Sequence, residues 1–490
     1  MKNTLKYLAT SLVLFICACQ HQNPSILVRI DADSVVNSGY IGNGVQWDPY
    51  ALNYGDGQVE ISDTDWQKLY ARLDYMQPAF IRMMINTGSL VDRKGVAVQR
   101  KFEHLAPLLD YCQSRDVTVL FGDWGGSLVD KQTATIDYDM LDATVDYLEF
   151  LICRKGYTCI RYFNLVNEPN GDWSSTNGNF DLWAQAIRHF YDQLKKQNLH
   201  DRVLLVGPDA AIWTTEETAW VTRCRTELEQ QIGLYDIHTY PSKCTVNSGQ
   251  YTDILKAYRH EVPVGKKMVM GEIGFKFVEA ADSLYQQENE RRIGQSSHAS
   301  PSDSQMFVFD TMYGIDMADA LFQTIAAGFS GSIAWMLDDA MHYKESPNKL
   351  KIWGFWNIFG DEIFGADQEV IRPWYYAWSL LCRFLPQGSD FNPIVIEGAA
   401  GIRGVSATKG ANRTIAMVNV TNESQHIRIR SSAMQCLSDS RVFRYGEKLY
   451  RLGGKNQILP EIENATYNFA QGEEFELPAQ SLLLITNYDY

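Results

Sequence analysis

The chain has 490 residues, of which 45% are hydrophobic, 12% aromatic and 21% charged. That composition excludes a disordered, collagenous or fibrous polypeptide. Acidic residues number 59 against 44 basic ones, a net charge of −15, which argues against a nucleic-acid partner because phosphate binding needs a basic face.

The chain opens with Met1-Lys-Asn-Thr-Leu-Lys6 and an apolar run from Tyr7 to Ala18. A dozen or so apolar residues behind a basic start suit a secretory signal and are too few to span a bilayer as a mature helix. The run ends Phe15-Ile16-Cys17-Ala18-Cys19 and is followed by Gln-His-Gln-Asn-Pro-Ser. This resembles a bacterial lipoprotein lipobox, which implies a signal peptide over 1–18 and acylation of Cys19. The implied location is the outer membrane of a bacterium, at its periplasmic face or at the cell surface. Contact with the membrane would be through the lipid anchor alone. Cleavage there removes Lys2 and Lys6 and no acid, so the mature charge is −15 − 2 = −17. Nine cysteines occur. Export permits disulfides, and Cys153–Cys159 and Cys224–Cys244 are the closest pairs in sequence, but buried free thiols are the simpler expectation for most of them.

Residues 19–40 read as a tether followed by a weakly alternating segment, Ile26–Ile30, assigned as an extra strand to the C-terminal domain. From 41 to 386, short β-branched or apolar runs alternate with amphipathic helical patterns. The predicted strands are Ile41–Trp47, Ala79–Met84, Val117–Gly122, Ile160–Asn167, Arg202–Gly207, Tyr235–Thr239, Lys267–Glu272 and Ser332–Met336. Eight consecutive βα units predict a closed α/β TIM barrel, (β/α)8. No GxGxxG follows an early strand, so an open dinucleotide-binding sheet is disfavoured. Long connections follow the seventh strand (residues 273–308, polar) and the eighth (337–371, with Trp353, Phe355, Trp356 and Phe359). Both leave the C-terminal barrel face, where barrel enzymes keep their chemistry. From 387 to 490 the pattern changes to short strands with Gly, Asn and Ser turns, which predicts an all-β sandwich domain.

Chemistry concentrates at the strand ends. The fourth strand ends Asn167-Glu168-Pro169 and the seventh ends at Glu272 in Met-Gly-Glu-Ile-Gly. Two carboxylates facing one barrel mouth can divide labour, one protonated and one ionised, as glycosidic cleavage requires. The 12 Trp, 26 Tyr and 22 Phe offer flat apolar faces of the kind sugar rings stack on. On these motifs the chain resembles glycoside hydrolase clan A, the retaining (β/α)8 glycosidases, and is nearest its family 5, 30 and 39 members. The resemblance implies that Glu168 is the acid/base and Glu272 the nucleophile. It further implies that Asn167 binds the sugar 2-OH, Arg82 holds the nucleophile ionised, and Tyr240 orients it. His238 matches the clan histidine, and Trp335 the platform under the reacting sugar. Family 5 enzymes usually end the third strand with a His; here the strand runs Val119-Leu-Phe-Gly-Asp-Trp124, so Asp123 or Trp124 stands in that place. Trp173, Trp353 and Trp356 join Trp124 as further subsite residues. Neither CxxC nor HxH occurs, so no metal or cofactor is expected.

The function implied is a retaining glycosidase acting on β-linked poly- or oligosaccharide. The alternatives are a cell-surface glycan-binding lipoprotein with a relic barrel, which has no need of both glutamates, and a metal-dependent barrel hydrolase, which needs ligands the first strand (Gly42-Asn-Gly-Val-Gln-Trp-Asp48) does not carry.

Overall fold

The computed structural model describes residues 26–490 apart from 51–58, 95, 97–98, 343–348, 433, 435, 455 and 490. The signal-peptide and lipidation expectations at 1–18 and Cys19 lie outside the described residues. Among the described residues no helix is long and apolar enough to cross a membrane.

Eight parallel strands close into a barrel: Gly42–Gln46, Phe80–Ile85, Thr118–Asp123, Ile160–Asn164, Leu204–Ile212, Ile232–Thr239, Lys267–Ile273 and Gly331–Ala334. Each pairs with its neighbours in chain order, and the eighth pairs with the first. Every predicted strand is present. The largest shift is at the fifth, which runs five residues further than the pattern indicated. The helices between them follow local signals. Asp63–Met76 begins at a capping box in which Ser62 and Asp65 bond each other's backbone N–H groups. Phe180–Lys196 is capped by the Asn179 side chain.

The period of two along each strand decides what lies inside the barrel. Ile81 and Met83 pack outward with the helices. Phe80 points inward and joins Ile41, Leu120, Val206, Leu234, Val269 and Ile333 in a separate apolar plug. One step up, the same periodicity carries Arg82, Asn164, Asp236 and His238 into the barrel above the plug, all fully buried. A hydrophobic floor therefore supports a layer of charge.

The C-terminal sandwich holds a six-stranded and a four-stranded sheet. Ile26–Ile30 lies in the smaller sheet, antiparallel to Ile394–Ile396 and parallel to Gln425–Arg430. In the larger sheet, Ile415, Met417, Leu483 and Ile485 face the sandwich interior, while Ala416, Val418, Leu482 and Leu484 join the barrel's helical core. Burial on both faces explains the unbroken apolar run Leu482–Ile485. Arg403 clamps the two domains: it pairs with buried Asp319 on the helix Thr311–Ala326 and donates to the Val246 and Asn247 carbonyls.

The long connections differ from expectation in two respects. The polar stretch after the seventh strand folds partly as a helix, Ser283–Gln295, with no buried residue and with Glu288 paired to Arg291 and Arg292 one turn on. The aromatics after the eighth strand are core: Trp353, Phe355, Trp356 and Phe359 are all at most 2% exposed. All seven described cysteines are free, so neither near pair is bridged.

Candidate active site

The C-terminal ends of the strands surround a cavity of about 550 Å³ lined by Trp124, Asn167, Glu168, His238, Tyr240, Glu272 and Trp335, with Trp173, Trp213, Lys276, Asp303, His342 and Lys351 at its walls. Seven of the nine predicted site residues line it. Arg82 lies beneath, wholly buried, and Asp123 does not reach it.

Glu272 is held from two sides. Arg82 Nη1 donates to its Oε2 at 2.8 Å, and the Tyr240 hydroxyl donates to its Oε1. Burial pushes its carboxyl above the ordinary range, while the charges of His238 and Arg82 and the Tyr240 hydrogen bond pull the other way. Tyr240 itself is driven well above a normal phenol by burial and then by the Glu272 charge, so it remains a neutral donor.

Glu168 sits on a positive-φ backbone, +46°, a conformation non-glycine residues adopt infrequently. Its N–H donates to Asp209 Oδ2 at 3.2 Å, which fastens that turn. The side chain is held at both oxygens, with Trp173 Nε1 at 2.7 Å from Oε2 and His238 Nδ1 at 3.1 Å from Oε1. One oxygen of Glu168 and one of Glu272 lie within 4.8 Å of each other, and the His238 ring lies within the same distance of both. Asn167 Oδ1 accepts from Arg82 Nη2 at 2.7 Å. That contact orients the amide and leaves its NH2 as the group available to a ligand.

The residue the sequence reading missed is Asp209. Fully buried at the fifth strand, its Oδ2 accepts from Asn164 Nδ2 (2.7 Å), Arg82 Nη2 (3.3 Å) and the Glu168 N–H. His238 Nε2 lies 2.9 Å from Oδ1 in an ion-pair contact rather than a well-aligned hydrogen bond. One carboxylate thus touches the groups that hold both glutamates. Burial raises its pKa, but the charges of His238 and Arg82 outweigh that and hold it below the usual carboxylate range. Burial likewise disfavours a charged His238, yet Asp209 carries the imidazole well above its ordinary value. Asp236, beside both, is pushed well above its usual range by burial and then by the Asp209 charge. Its Oδ1 takes the Gly271 N–H at 2.7 Å, and only glycine fits there, since a Cβ at 271 would fall 2.1 Å from the Asp236 carboxylate. The fifth strand looked like ordinary apolar core in the sequence, and Gly207-Pro208-Asp209 gives no local sign of a partner 29 residues downstream.

Asp123 is a correction. It is wholly buried and accepts from the Thr87 N–H and hydroxyl and from the Gly125 N–H, so it shapes the turn after the third strand. Trp124, half-buried, occupies the pocket wall instead and meets Trp335 edge-on at 6.5 Å. Trp353 and Trp356 are corrected too. Trp353 backs Tyr240 edge-on at 5.4 Å, and Trp356 is sealed against Asp338 and Tyr375. His342, also unforeseen, stacks on Trp335 at 5.5 Å and lies 3.3 Å from Asp48. Burial lowers its imidazole to about 4 and raises Asp48 to about 7, so between those values the pair is uncharged.

Glu168, His238 and Glu272, or Asp209, Asp236 and His238, each converge closely enough to contact a metal ion. In both groups the Arg82 guanidinium already supplies positive charge at hydrogen-bonding distance.

No family model matches the sequence, and no curated protein does either. Solved structures do. A GH30 endoxylanase from Clostridium papyrosolvens C71 superposes with a TM-score of 0.62 at 14% identity over 94% of this chain and 100% of its own. The α-L-arabinofuranosidase from Thermotoga maritima gives 0.62 at 14% identity over 94% and 99%, and a GH39 β-xylosidase from Caulobacter crescentus gives 0.58 at 14% over 94% and 99%. The fold is shared. The chain has the barrel-plus-sandwich architecture of solved clan A glycosidases along nearly its whole length, and at this identity the likeness speaks for architecture only.

Proposed function

We propose that this protein is a retaining glycoside hydrolase that cleaves β-linked poly- or oligosaccharide by double displacement. The observation that carries the proposal is the approach of Glu168 and Glu272 to within 4.8 Å across a saccharide-sized pocket. Retaining enzymes hold their carboxyl groups about 5–5.5 Å apart, whereas inverting ones leave about 6.5–9.5 Å for a water. The different surroundings of the two glutamates support the division of labour. Arg82 and Tyr240 favour an ionised Glu272, the form that attacks C1, and Glu168 delivers its proton to the departing glycosidic oxygen as the C1–O bond breaks. Water then attacks C1 of the glycosyl-enzyme, giving its proton to Glu168 and releasing Glu272 as carboxylate. The Asn167 amide is placed to bond the 2-OH, a contact that strengthens as charge develops at C1.

The test is hydrolysis over a panel of β-glucan, β-mannan, β-xylan and β-galactan, followed by proton NMR of the first-formed anomer. Retention is expected, with activity collapsing in Glu272→Gln and with azide restoring turnover of an activated aryl glycoside in Glu168→Ala. An inverted product, or wild-type rates in both variants, refutes the proposal. We also propose that the mature protein is exported and tethered through acylated Cys19. Incorporation of labelled palmitate that Cys19→Ser abolishes is the expected result.

A further inference from the structure

The cavity wall that follows the seventh and eighth strands carries two lysines, Lys276 and Lys351, in a chain whose acids outnumber its bases 59 to 44. Their surroundings differ. Lys351 lies 2.9 Å from Asp303 Oδ2, while the other oxygen of that carboxylate accepts from Trp353 Nε1 at 2.9 Å. Lys276 is exposed, and among the described residues no carboxylate lies within ion-pair distance of it. Its ammonium instead stands over the Tyr240 ring, 4.8 Å from the centroid, with the buried Trp353 ring behind at 6.0 Å. An aromatic face attracts a cation without neutralising it, so the charge stays available to the pocket. Because the Tyr240 hydroxyl donates to Glu272, the unpaired ammonium is one phenol ring away from the nucleophile. The positive field also reaches the floor, where the Lys351 charge adds to burial in lowering the imidazole of His342, which stacks on Trp335.

From this we infer that the sugar cleaved here carries a carboxylate at C5, that Lys276 binds it, and that the substrate class is therefore a β-linked hexuronide. The inference rests on the glycosidase reading and adds the chemistry of the reacting ring. In that reading Asn167, at the end of the fourth strand, takes the 2-OH while the ring lies on Trp335. C5 is reached from C1 through the ring oxygen, on the side away from C2. A ring so oriented presents its C5 substituent to the wall opposite the fourth strand, where Lys276 and Lys351 stand. A hydroxymethyl group there offers Lys276 only a neutral acceptor, and a pentose has no group to reach it. A carboxylate makes a charge-assisted hydrogen bond with the ammonium. The cation also answers a second need. Glu168, Glu272 and a net charge of −15 repel an anionic sugar, and an unpartnered positive charge beside the site counters that repulsion.

The experiment compares kcat/KM for 4-nitrophenyl β-D-glucuronide and β-D-galacturonide with that for the matching glucoside and galactoside, which differ only at C6. Wild-type should favour the uronide of the faster pair roughly 10- to 100-fold, the range for a hydrogen bond to a charged group, and the preference should shrink at high salt. Lys276→Met keeps the length of the side chain and removes its charge, so the uronide-to-glycoside ratio should fall by the same factor. Lys276→Arg should retain most of it. An exposed position tolerates both changes, and unaltered melting temperatures confirm folding. A wild-type enzyme that prefers the neutral glycoside overturns the inference. So does an unchanged ratio in Lys276→Met, including the case where both substrates slow equally, and so does hydrolysis of neutral polysaccharide with none of either uronide. Failure of wild-type to hydrolyse any glycoside, neutral or acidic, would instead refute the glycosidase reading beneath it.

Discussion

Replacing Asp209 by Asn separates charge from shape at the centre of the site. In the native cluster the Arg82 guanidinium and the His238 imidazole, whose pKa is raised, face the Asp209 and Glu272 carboxylates, and Asp236 is pushed well above its usual range. The substitution removes one carboxylate charge from beside these cations, and the group able to shed a proton in response is His238. Its elevated pKa survives burial chiefly because Asp209 opposes the desolvation. The new amide turns its NH2 either towards His238 Nε2, which must then be unprotonated to accept, or towards Arg82 Nη2 and the Glu168 N–H, whose contacts are then lost. A hydrogen bond to a charged group is worth about 1.5–3 kcal/mol, which converts to a fall of roughly 10- to 150-fold in kcat/KM. The assay pairs steady-state kinetics with nitrogen NMR of the His238 ring. In wild-type the imidazole should stay charged through neutral pH. In Asp209→Asn it should be neutral there, as its Nδ1–H still reaches Glu168. A variant whose His238 remains charged at neutral pH and whose kcat/KM stays near that of wild-type would refute the view that this carboxylate sets the electrostatics of both glutamates.

Tyr240→Phe removes a donor that favours ionised Glu272, whose carboxyl burial already raises. Because attack needs the carboxylate, the acid limb of the kcat/KM–pH profile should move to higher pH, with a loss of about 10- to 100-fold at the optimum; an unmoved limb would contradict the assignment. Asp123→Ala orphans the Thr87 and Gly125 N–H groups and should cost about 1–3 kcal/mol in denaturant unfolding, with KM for saccharide unchanged, whereas a KM effect with full stability would return Asp123 to the binding surface. Arg403→Ala leaves the Asp319 carboxylate buried without its partner and should destabilise the chain by about 3–5 kcal/mol, read as an earlier unfolding transition; a melt matching wild-type would mean the clamp contributes nothing.

Strand and helix periodicity, together with their eightfold repetition, determined the barrel and the order of its elements, because each unit announces itself within its own stretch of chain. The same local reading located Glu168 and Glu272 at strand ends, and the resemblance drew in Arg82, Asn167, His238, Tyr240 and Trp335. It failed where a residue's role depends on partners distant in the chain. Asp123 and Trp124 are adjacent and equally plausible from sequence, and only the turn geometry sends one to Thr87 and the other to the pocket. Trp356 and Trp213 are both aromatic loop residues, yet one is sealed in the core and the other stands half in water. Asp209 carries no motif at all. Barrel closure brings the fifth strand beside the sixth and aims Asp209 at the layer holding Arg82, His238 and the Glu168 backbone. Hydrophobic periodicity reports which way a side chain faces, and electrostatic partnership is a property of positions that only folding makes adjacent.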